Sequence, residues 1–326
     1  MFFSLILTVY NEASSIHALL DSLLEQTHLP DEIVIVDGGS QDDTCAVIQR
    51  YQSKLPIILL QEQGCNISRG RNLAIQAAQG EVIVATDAGV RLIPEWFDQI
   101  TAPFYDNPET SVVAGFFLPD PDPHSPFEVA MSAAVLPQVN EINPDTFLPS
   151  SRSIAFRKSC WEAVGGYPEW LDYCEDLILD LRLRTAVGSF VFVPEAVVYF
   201  KPRTSLRAFF KQYFLYARGD GKADLWRKRH AARYVTYLLL IPILAALMQK
   251  VHLTFGLFYL LGGAVYLQQP YRRLPVLWTQ LDFPGKWQAV FWVLVIRIVG
   301  DFAKMLGYPI GWRWRLKNHP PDWKQL

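Results

Sequence analysis

The sequence predicts an α/β fold: a mainly parallel sheet flanked by helices, followed by a helical region that meets an apolar medium. Three observations predict it. Apolar runs of strand length alternate with helix-length amphipathic stretches as far as Gly89. Polar clusters close three of those runs, at Tyr10-Asn11-Glu12, Asp37-Gly38-Gly39-Ser40 and Asp87-Ala88-Gly89. Towards the C-terminus, two uncharged apolar runs follow a basic stretch.

The elements follow in order. Phe2 to Val9 is a buried strand, and Ile16, Leu19, Leu20, Leu23 and Leu24 form the apolar stripe of a helix. Ile33 to Val36 is a second strand, Thr44 to Tyr51 a helix, Ile57 to Leu60 a third strand. Ser68 to Gln79 is helical again, and Val82 to Ala85 is a fourth strand. Such alternation makes a parallel sheet covered on both faces, whose ligands bind beyond the carboxyl ends of the strands. Ala102 to Phe147, rich in proline and acidic residues, reads as a long loop in which His124 is simply solvated. Ser150 to Arg157 reads as a strand and Ser159 to Val164 as a short helix, stopped by Gly165-Gly166 ahead of Pro168. Glu175-Asp176 then leads into a helix over Leu177 to Ala186.

Composition narrows the function. Of 326 residues, 51% are hydrophobic and only 19% charged, against about a quarter charged in ordinary soluble domains. A net charge of -2 argues against a nucleic-acid binder. Cys45, Cys65, Cys160 and Cys174 show no metal or disulfide spacing, as expected of reduced cysteines in a cytosolic domain. The N-terminus shows no basic start or cleavage site of a signal peptide. A nicotinamide-cofactor domain would need glycines after its first strand; Tyr10 to Ser15 contains none, and no Gly-Lys-Ser phosphate loop occurs.

Leu7-Thr8-Val9-Tyr10-Asn11-Glu12 and Val34 to Thr44, with Asp37-Gly38-Gly39-Ser40 at their centre, resemble the opening of family 2 glycosyltransferases of the GT-A fold. Arg69-Gly70-Arg71-Asn72 and Thr86-Asp87-Ala88-Gly89 continue in the family's order, and the likeness extends to about Gly221. The resemblance implies a nucleotide-sugar pocket with Thr8, Tyr10, Glu12 and Ser40 at the nucleoside and Asp37 at the base edge. It places Arg69, Arg71 and Asn72 near the diphosphate, and Asp87 on a divalent cation, Mg²⁺ or Mn²⁺. A diphosphate leaving group needs such charge neutralisation. The family's metal motif is Asp-x-Asp; here Gly89 stands in the second place and supplies no carboxylate.

Gly165-Gly166-Tyr167 followed by Glu175-Asp176 matches the family's acceptor and base segment. The resemblance makes Asp176 the base that deprotonates an acceptor hydroxyl in an inverting transfer, Glu175 its neighbour, and Gly166 and Tyr167 acceptor-side residues. The bland reading is that two carboxylates favour a helix's first turn; the preceding motifs favour catalysis. Gln212 keeps one position of the family's Gln-x-x-Arg-Trp element, but Leu215 and Tyr216 replace its Arg and Trp, which points to one sugar per acceptor. Arg218, close by, is read as reaching a phosphate or capping a helix.

The domain boundary is expected near residue 225, with a catalytic domain over 1–225 and membrane-associated helices over 226–326. Tyr234 to Met248 and Leu253 to Leu267 each hold 15 uncharged residues, about 22 Å of helix against a hydrocarbon core of about 30 Å. With Arg272 and Arg273 as a flank, they read as a short hairpin over 234–268. A third, interfacial segment is expected over 287–306, with Arg297 and Asp301 neutralising one another at i, i+4. The whole implies a membrane-attached enzyme with a cytoplasmic catalytic domain, acting on a lipid-linked or envelope glycan acceptor. Two alternatives share the fold: a sugar nucleotidyltransferase, which lacks its glycine- and lysine-bearing loop here, and a non-catalytic membrane scaffold.

Overall fold

The computed structural model describes residues 1–324. They fall into two compact units: Met1–Asp120 with Val139–Lys201 and the chain end from Pro321, and Pro121–Gln138 with Pro202–Pro320.

The first unit holds one eight-stranded sheet. Its elements in chain order are β1 (Phe3–Val9), α1 (Ile16–Leu24), β2 (Glu32–Asp37), α2 (Thr44–Tyr51), β3 (Ile57–Gln61), α3 (Ile67–Ala77) and β4 (Val82–Ala85). Then come β5 (Val90–Leu92), α4 (Trp96–Asp106) and β6 (Val112–Pro119). After the segment that belongs to the other unit, where α5 (Pro126–Val135) lies, follow β7 (Ile154–Arg157), α6 (Lys158–Ala163), α7 (Glu175–Val187) and β8 (Val191–Phe200). The strand order is β3-β2-β1-β4-β7-β6-β8-β5. β1 runs parallel to β2 and β4, with Val9 opposite Asp37 and Ile6 opposite Ala85. β7 enters antiparallel between β4 and β6, so the sheet is mixed.

Strand periodicity builds two cores. Leu5, Leu7, Ile33, Ile35, Val82 and Val84 point into one, with Leu19, Leu23 and Phe104. Ile6, Val34, Val36, Ile83 and Ala85 point into the other, with Ala74, Leu179 and Leu183. Both faces of β1, β2 and β4 are covered, so the middles of these strands are apolar on both sides and read as unbroken runs.

Ala102 to Phe147 is not the long loop its composition predicts. It holds the end of α4, all of β6 and all of α5, the last begun by Ser125, whose hydroxyl accepts from the Glu128 amide at 3.3 Å. The proline-rich Leu118–His124 stretch is only the exit from β6. Ser150 to Ser153 also differs: it turns into β7 rather than extending it.

The second unit is helical: α5, then α8 (Leu206–Ala223), α9 (Arg227–Val235), a π-turn over Thr236–Leu240, α10 (Ile241–Lys250), α11 (Gly256–Leu277) and α12 (Phe283–Asn318). The two units part between Lys201 and Pro202, and α8, which the sequence groups with the first domain, packs along α12. Gly307 shows how closely: a Cβ there would lie 2.2 Å from the Phe214 carbonyl oxygen. Val129, Ala133, Phe209, Leu274, Val293 and Ile296 form the unit's core.

Among the described residues one helix is long and apolar enough to cross a membrane, the continuous stretch Arg227–Lys250 of 24 residues. That is about 36 Å of helix, more than a hydrocarbon core. The expected hairpin is not seen as two such spans. Its second run lies in α11, where Gln268, Gln269, Arg272 and Arg273 continue the helix and cut its hydropathy. The third segment lies within the 36-residue α12, which buries Ala289, Val293, Ile296, Gly300 and Ala303 against its neighbours and exposes Phe291 and Phe302. Asp301 does not pair with Arg297. Its Oδ1 accepts from Arg233 Nε at 2.7 Å, because tertiary packing brings α9 nearer than the i, i+4 neighbour.

Candidate active site

The carboxyl ends of β1 and β2 are stitched by the loops that follow them. Asn11, in the left-handed region at φ 55°, donates its amide to Ser40 Oγ and accepts from the Gln41 amide, both at 2.8 Å. The Glu12 amide donates to Thr44 Oγ1 at 2.8 Å and the Ala13 amide to Asp42 at 3.1 Å. Asparagine tolerates positive φ better than other side-bearing residues, a signal in the sequence that its place in the Tyr10-Asn11-Glu12 motif overshadows. Asp37 is buried and accepts from the Gly39 and Ser40 amides at 3.1 Å. Gly39, at φ 95°, takes a backbone conformation that residues with a side chain rarely adopt, and a Cβ there would also displace the end of the Gln63 side chain. Thr8 is half-buried at the end of β1, Tyr10 is exposed, and Glu12 accepts from the Ser15 hydroxyl.

At the neighbouring strand end, charge is concentrated. Arg71, on α3, is buried and donates to two carboxylates: Nη2 to Asp87 Oδ1 and Nη1 to Glu175 Oε1, both at 2.7 Å. Arg152, in the turn before β7, brings Nε to 3.5 Å from Asp87 Oδ2 and donates Nη1 to Ser150 Oγ at 3.0 Å. Ser150 Oγ donates in turn to Asp176 Oδ2 at 3.3 Å, while the Leu177 amide donates to Asp176 Oδ1 at 2.8 Å. Since Glu175 and Asp176 are adjacent, these contacts close a ring: Glu175, Arg71, Asp87, Arg152, Ser150, Asp176. Cys174, in the left-handed region at φ 66°, turns the chain so that α7 begins with the two carboxylates.

Proton affinities in this cluster diverge. Burial opposes ionisation of Asp87, but Arg71 and Arg152 hold its carboxyl below the usual carboxylate range. Glu175 shares Arg71; burial, then repulsion from Asp176, pushes it up to about 7. Burial and Asp176 likewise raise Asp180, one turn further along α7, well above the usual range, and its Oδ2 has no hydrogen-bond partner. The ion-pair distance by itself would leave Glu175 charged, yet one guanidinium cannot neutralise every carboxylate around it. The proton therefore settles on the more buried acids.

Several expected residues are occupied differently. Arg71, expected near the diphosphate, is buried with each Nη group donating to a carboxylate. Asn72 donates to the Tyr167 carbonyl at 2.9 Å and to Glu169 at 3.1 Å, and accepts from the Tyr167 amide at 2.9 Å. Arg69 is exposed and paired with Glu62 at 2.9 Å and Glu169 at 3.4 Å. Tyr167 is buried with its hydroxyl 2.9 Å from Ser151 Oγ, and the Gly166 carbonyl accepts from Arg182. Gln212 and Arg218 lie on α8, in the second unit, where Gln212 donates to the Tyr216 hydroxyl at 2.8 Å. Arg152 was not singled out by sequence, because Ser150 to Arg157 reads as plain strand.

No group of three His, Cys, Asp or Glu among the described residues is placed to hold a metal. Asp87 Oδ2, with only the longer Arg152 contact, is the oxygen with capacity to spare. One carboxylate fits a Mg²⁺-like ion shared with substrate phosphates and water, which is how such ions commonly bind.

Residues 4–161 match the family model described as Glycosyl transferase family 2. The O-antigen chain rhamnosyltransferase RfbN of Salmonella typhimurium is 24% identical over 223 residues, covering 65% of this chain and 70% of that protein. The succinoglycan biosynthesis protein ExoA of Rhizobium meliloti is 25% identical over 254 residues, 73% of this chain and 75% of that one. Among solved structures, the mannosyltransferase PcManGT from Pyrobaculum calidifontis, in complex with GDP-Man and Mn²⁺, superposes with a TM-score of 0.60 at 20% identity. It covers 90% of this chain and 86% of its own. S. aureus TarS 1-349 in complex with UDP-GlcNAc gives 0.52 at 19% identity, over 93% and 90%. Both likenesses are of fold.

Proposed function

We propose, from the premise that this chain is a family 2 glycosyltransferase of the GT-A fold, that it transfers a sugar from a nucleotide-sugar donor with inversion and with Asp176 as general base. The acceptor hydroxyl oxygen bonds to the anomeric carbon as the bond to the diphosphate oxygen breaks. The hydroxyl proton goes to Asp176, and the nucleoside diphosphate leaves with the electron pair.

The observation that carries this reading is the ring joining Asp176 to Asp87 through Ser150 and Arg152. It supports a base held beside the strand end at which the family binds its donor. The Leu177 amide and Ser150 hydroxyl orient the Asp176 carboxylate, and Arg71 fixes Glu175 and Asp87 as a positioning residue. Arg152, half-buried with its Nε 3.5 Å from Asp87 Oδ2, is assigned to the diphosphate by its place beside that carboxylate. Asp87 would hold Mg²⁺ or Mn²⁺ together with the donor, and the ion would supply charge neutralisation on the leaving group. Thr8, Tyr10, Glu12, Asp37 and Ser40 are assigned to the nucleoside.

For the acceptor we infer a lipid-linked envelope glycan; relatives named for O-antigen chain and succinoglycan biosynthesis support the glycan part of that reading. Membrane attachment through Arg227–Lys250, with the catalytic domain cytoplasmic, fits that acceptor.

The test is transfer by the detergent-solubilised full chain from a panel of nucleotide sugars, with the product's anomeric configuration read by NMR. Asp176→Asn is expected to cut turnover by about 10²–10⁴-fold while donor affinity holds within about two-fold. A product that keeps the donor's configuration, or an Asp176→Asn variant that turns over normally, would end the proposal.

A further inference from the structure

The second unit encloses charge that sugar transfer does not use. A cavity of about 90 Å³ is lined by Phe209, Tyr213, Ile296, Arg297, Asp301 and Lys304, with Ala134, Val135 and Gly300 completing its wall. Its carboxylate is spent: Asp301 Oδ1 accepts from Arg233 at 2.7 Å, and Oδ2 accepts from the hydroxyls of Tyr266 at 2.6 Å and Tyr237 at 3.1 Å. The nearby Asp220 is engaged by His230 at 3.1 Å. Arg297 and Lys304 remain. Among the described residues neither has a hydrogen bond or an ion pair from its side chain, and the buried Arg297 Nε is without a partner. Each rests on a ring instead, Arg297 at 4.4 Å from the Tyr266 centroid and Lys304 at 5.0 Å from that of Tyr213.

Two cations face this cavity beside one carboxylate that already carries an ion pair to Arg233, and burying such an excess of positive charge costs several kcal/mol. An anion with several acceptor oxygens removes that cost, and phosphate suits both a guanidinium and an ammonium. The space exceeds what one water needs, about 10–15 Å³ on the same measure. Phe209, Ile296, Ala134 and Val135 give the cavity an apolar wall. The same unit carries the apolar helix Arg227–Lys250, none of whose most hydrophobic stretch is buried. Basic pockets among membrane helices take lipid headgroups. We propose that this cavity binds a phosphate group esterified to an apolar chain, with Arg297 and Lys304 as its cationic ligands. The proposal uses no residue of the first unit and stands whether or not the transfer reading does.

The experiment titrates the full chain, in nonionic detergent, with dihexanoyl phosphatidic acid, dihexanoylglycerol and inorganic phosphate separately. Phosphatidic acid is expected to bind, about ten-fold more weakly to Lys304→Gln and to Arg297→Gln, with recovery in Lys304→Arg. Lys304→Arg also guards against misfolding, since it keeps charge and bulk. Equal binding of dihexanoylglycerol, or binding unchanged in both glutamine variants, would overturn the site. Inorganic phosphate binding as tightly as the lipid would overturn the lipid source and assign the cavity to the free anion.

Discussion

The two units bury charge in opposite senses. Around the strand ends of the first, Asp87, Glu175, Asp176 and Asp180 gather about Arg71 and Arg152, so acids exceed bases. In the second, Arg233, Arg297 and Lys304 gather about Asp301, so bases exceed acids. A net charge of -2 conceals both. The difference teaches what each centre is short of. The acidic one resolves its excess internally, by protonating its most buried members, and keeps carboxylates for a cation or a hydroxyl proton. The basic one holds Arg233 and Arg297, which do not give up their protons, and its surplus suits an anion from outside.

The contrast is broken most directly at Arg71. Replacing it by methionine leaves Asp87 and Glu175 without their shared cation, and breaking a buried pair costs about 3–5 kcal/mol. Chemical denaturation should show that loss, with part recovered in Arg71→Met/Glu175→Gln. A stability change below about 1 kcal/mol would mean the ring does not hold the cluster. In the second unit the matching change is Asp301→Asn. It removes the carboxylate opposite Arg233 and should destabilise by about 2 kcal/mol, less than a fully buried pair because these side chains keep some exposure. Added phosphate should restore the melting temperature more than it does in the wild type; no difference between the two would contradict the cation surplus.

A finer test is pH. Glu175 has a raised folded-state pKa of about 7, so between the unfolded value and 7 the folded protein binds more protons than the unfolded chain. Its contribution to stability is complete at the acid end and is lost as pH rises through that window. The melting temperature of the wild type relative to Glu175→Gln should therefore fall from pH 4.5 to pH 7; a rise would reverse the assignment. Smallest is Cys174→Gly. Relieving the left-handed φ of 66° while loosening the unfolded chain should shift stability by no more than about 1 kcal/mol, and a larger loss would mean the thiol itself holds α7.

Much of the fold was readable because burial leaves a pattern. The apolar runs at Phe3–Val9, Glu32–Asp37 and Val82–Ala85 are strands covered on both faces, Ile57–Gln61 is the edge strand beside them, and polar clusters mark where the first three end. The pattern failed where local composition and packing disagree. β6 was hidden by the prolines that end it. α5 shows no polar face, since its Val129, Ala130, Ala133 and Ala134 are all buried.

By itself the sequence determined the strand-helix alternation of the first unit, the strand-end motifs with Asp37 and Asp87, the Glu175-Asp176 helix start, and the apolar runs of the C-terminal region. Only the tertiary structure decided who neutralises whom. Arg71 meets Glu175 across 104 positions and Arg233 meets Asp301 across 68, and no local rule links residues so far apart. Coulomb attraction acts through space and depends on burial, so charges equal in the sequence become an acidic centre in one unit and a basic one in the other.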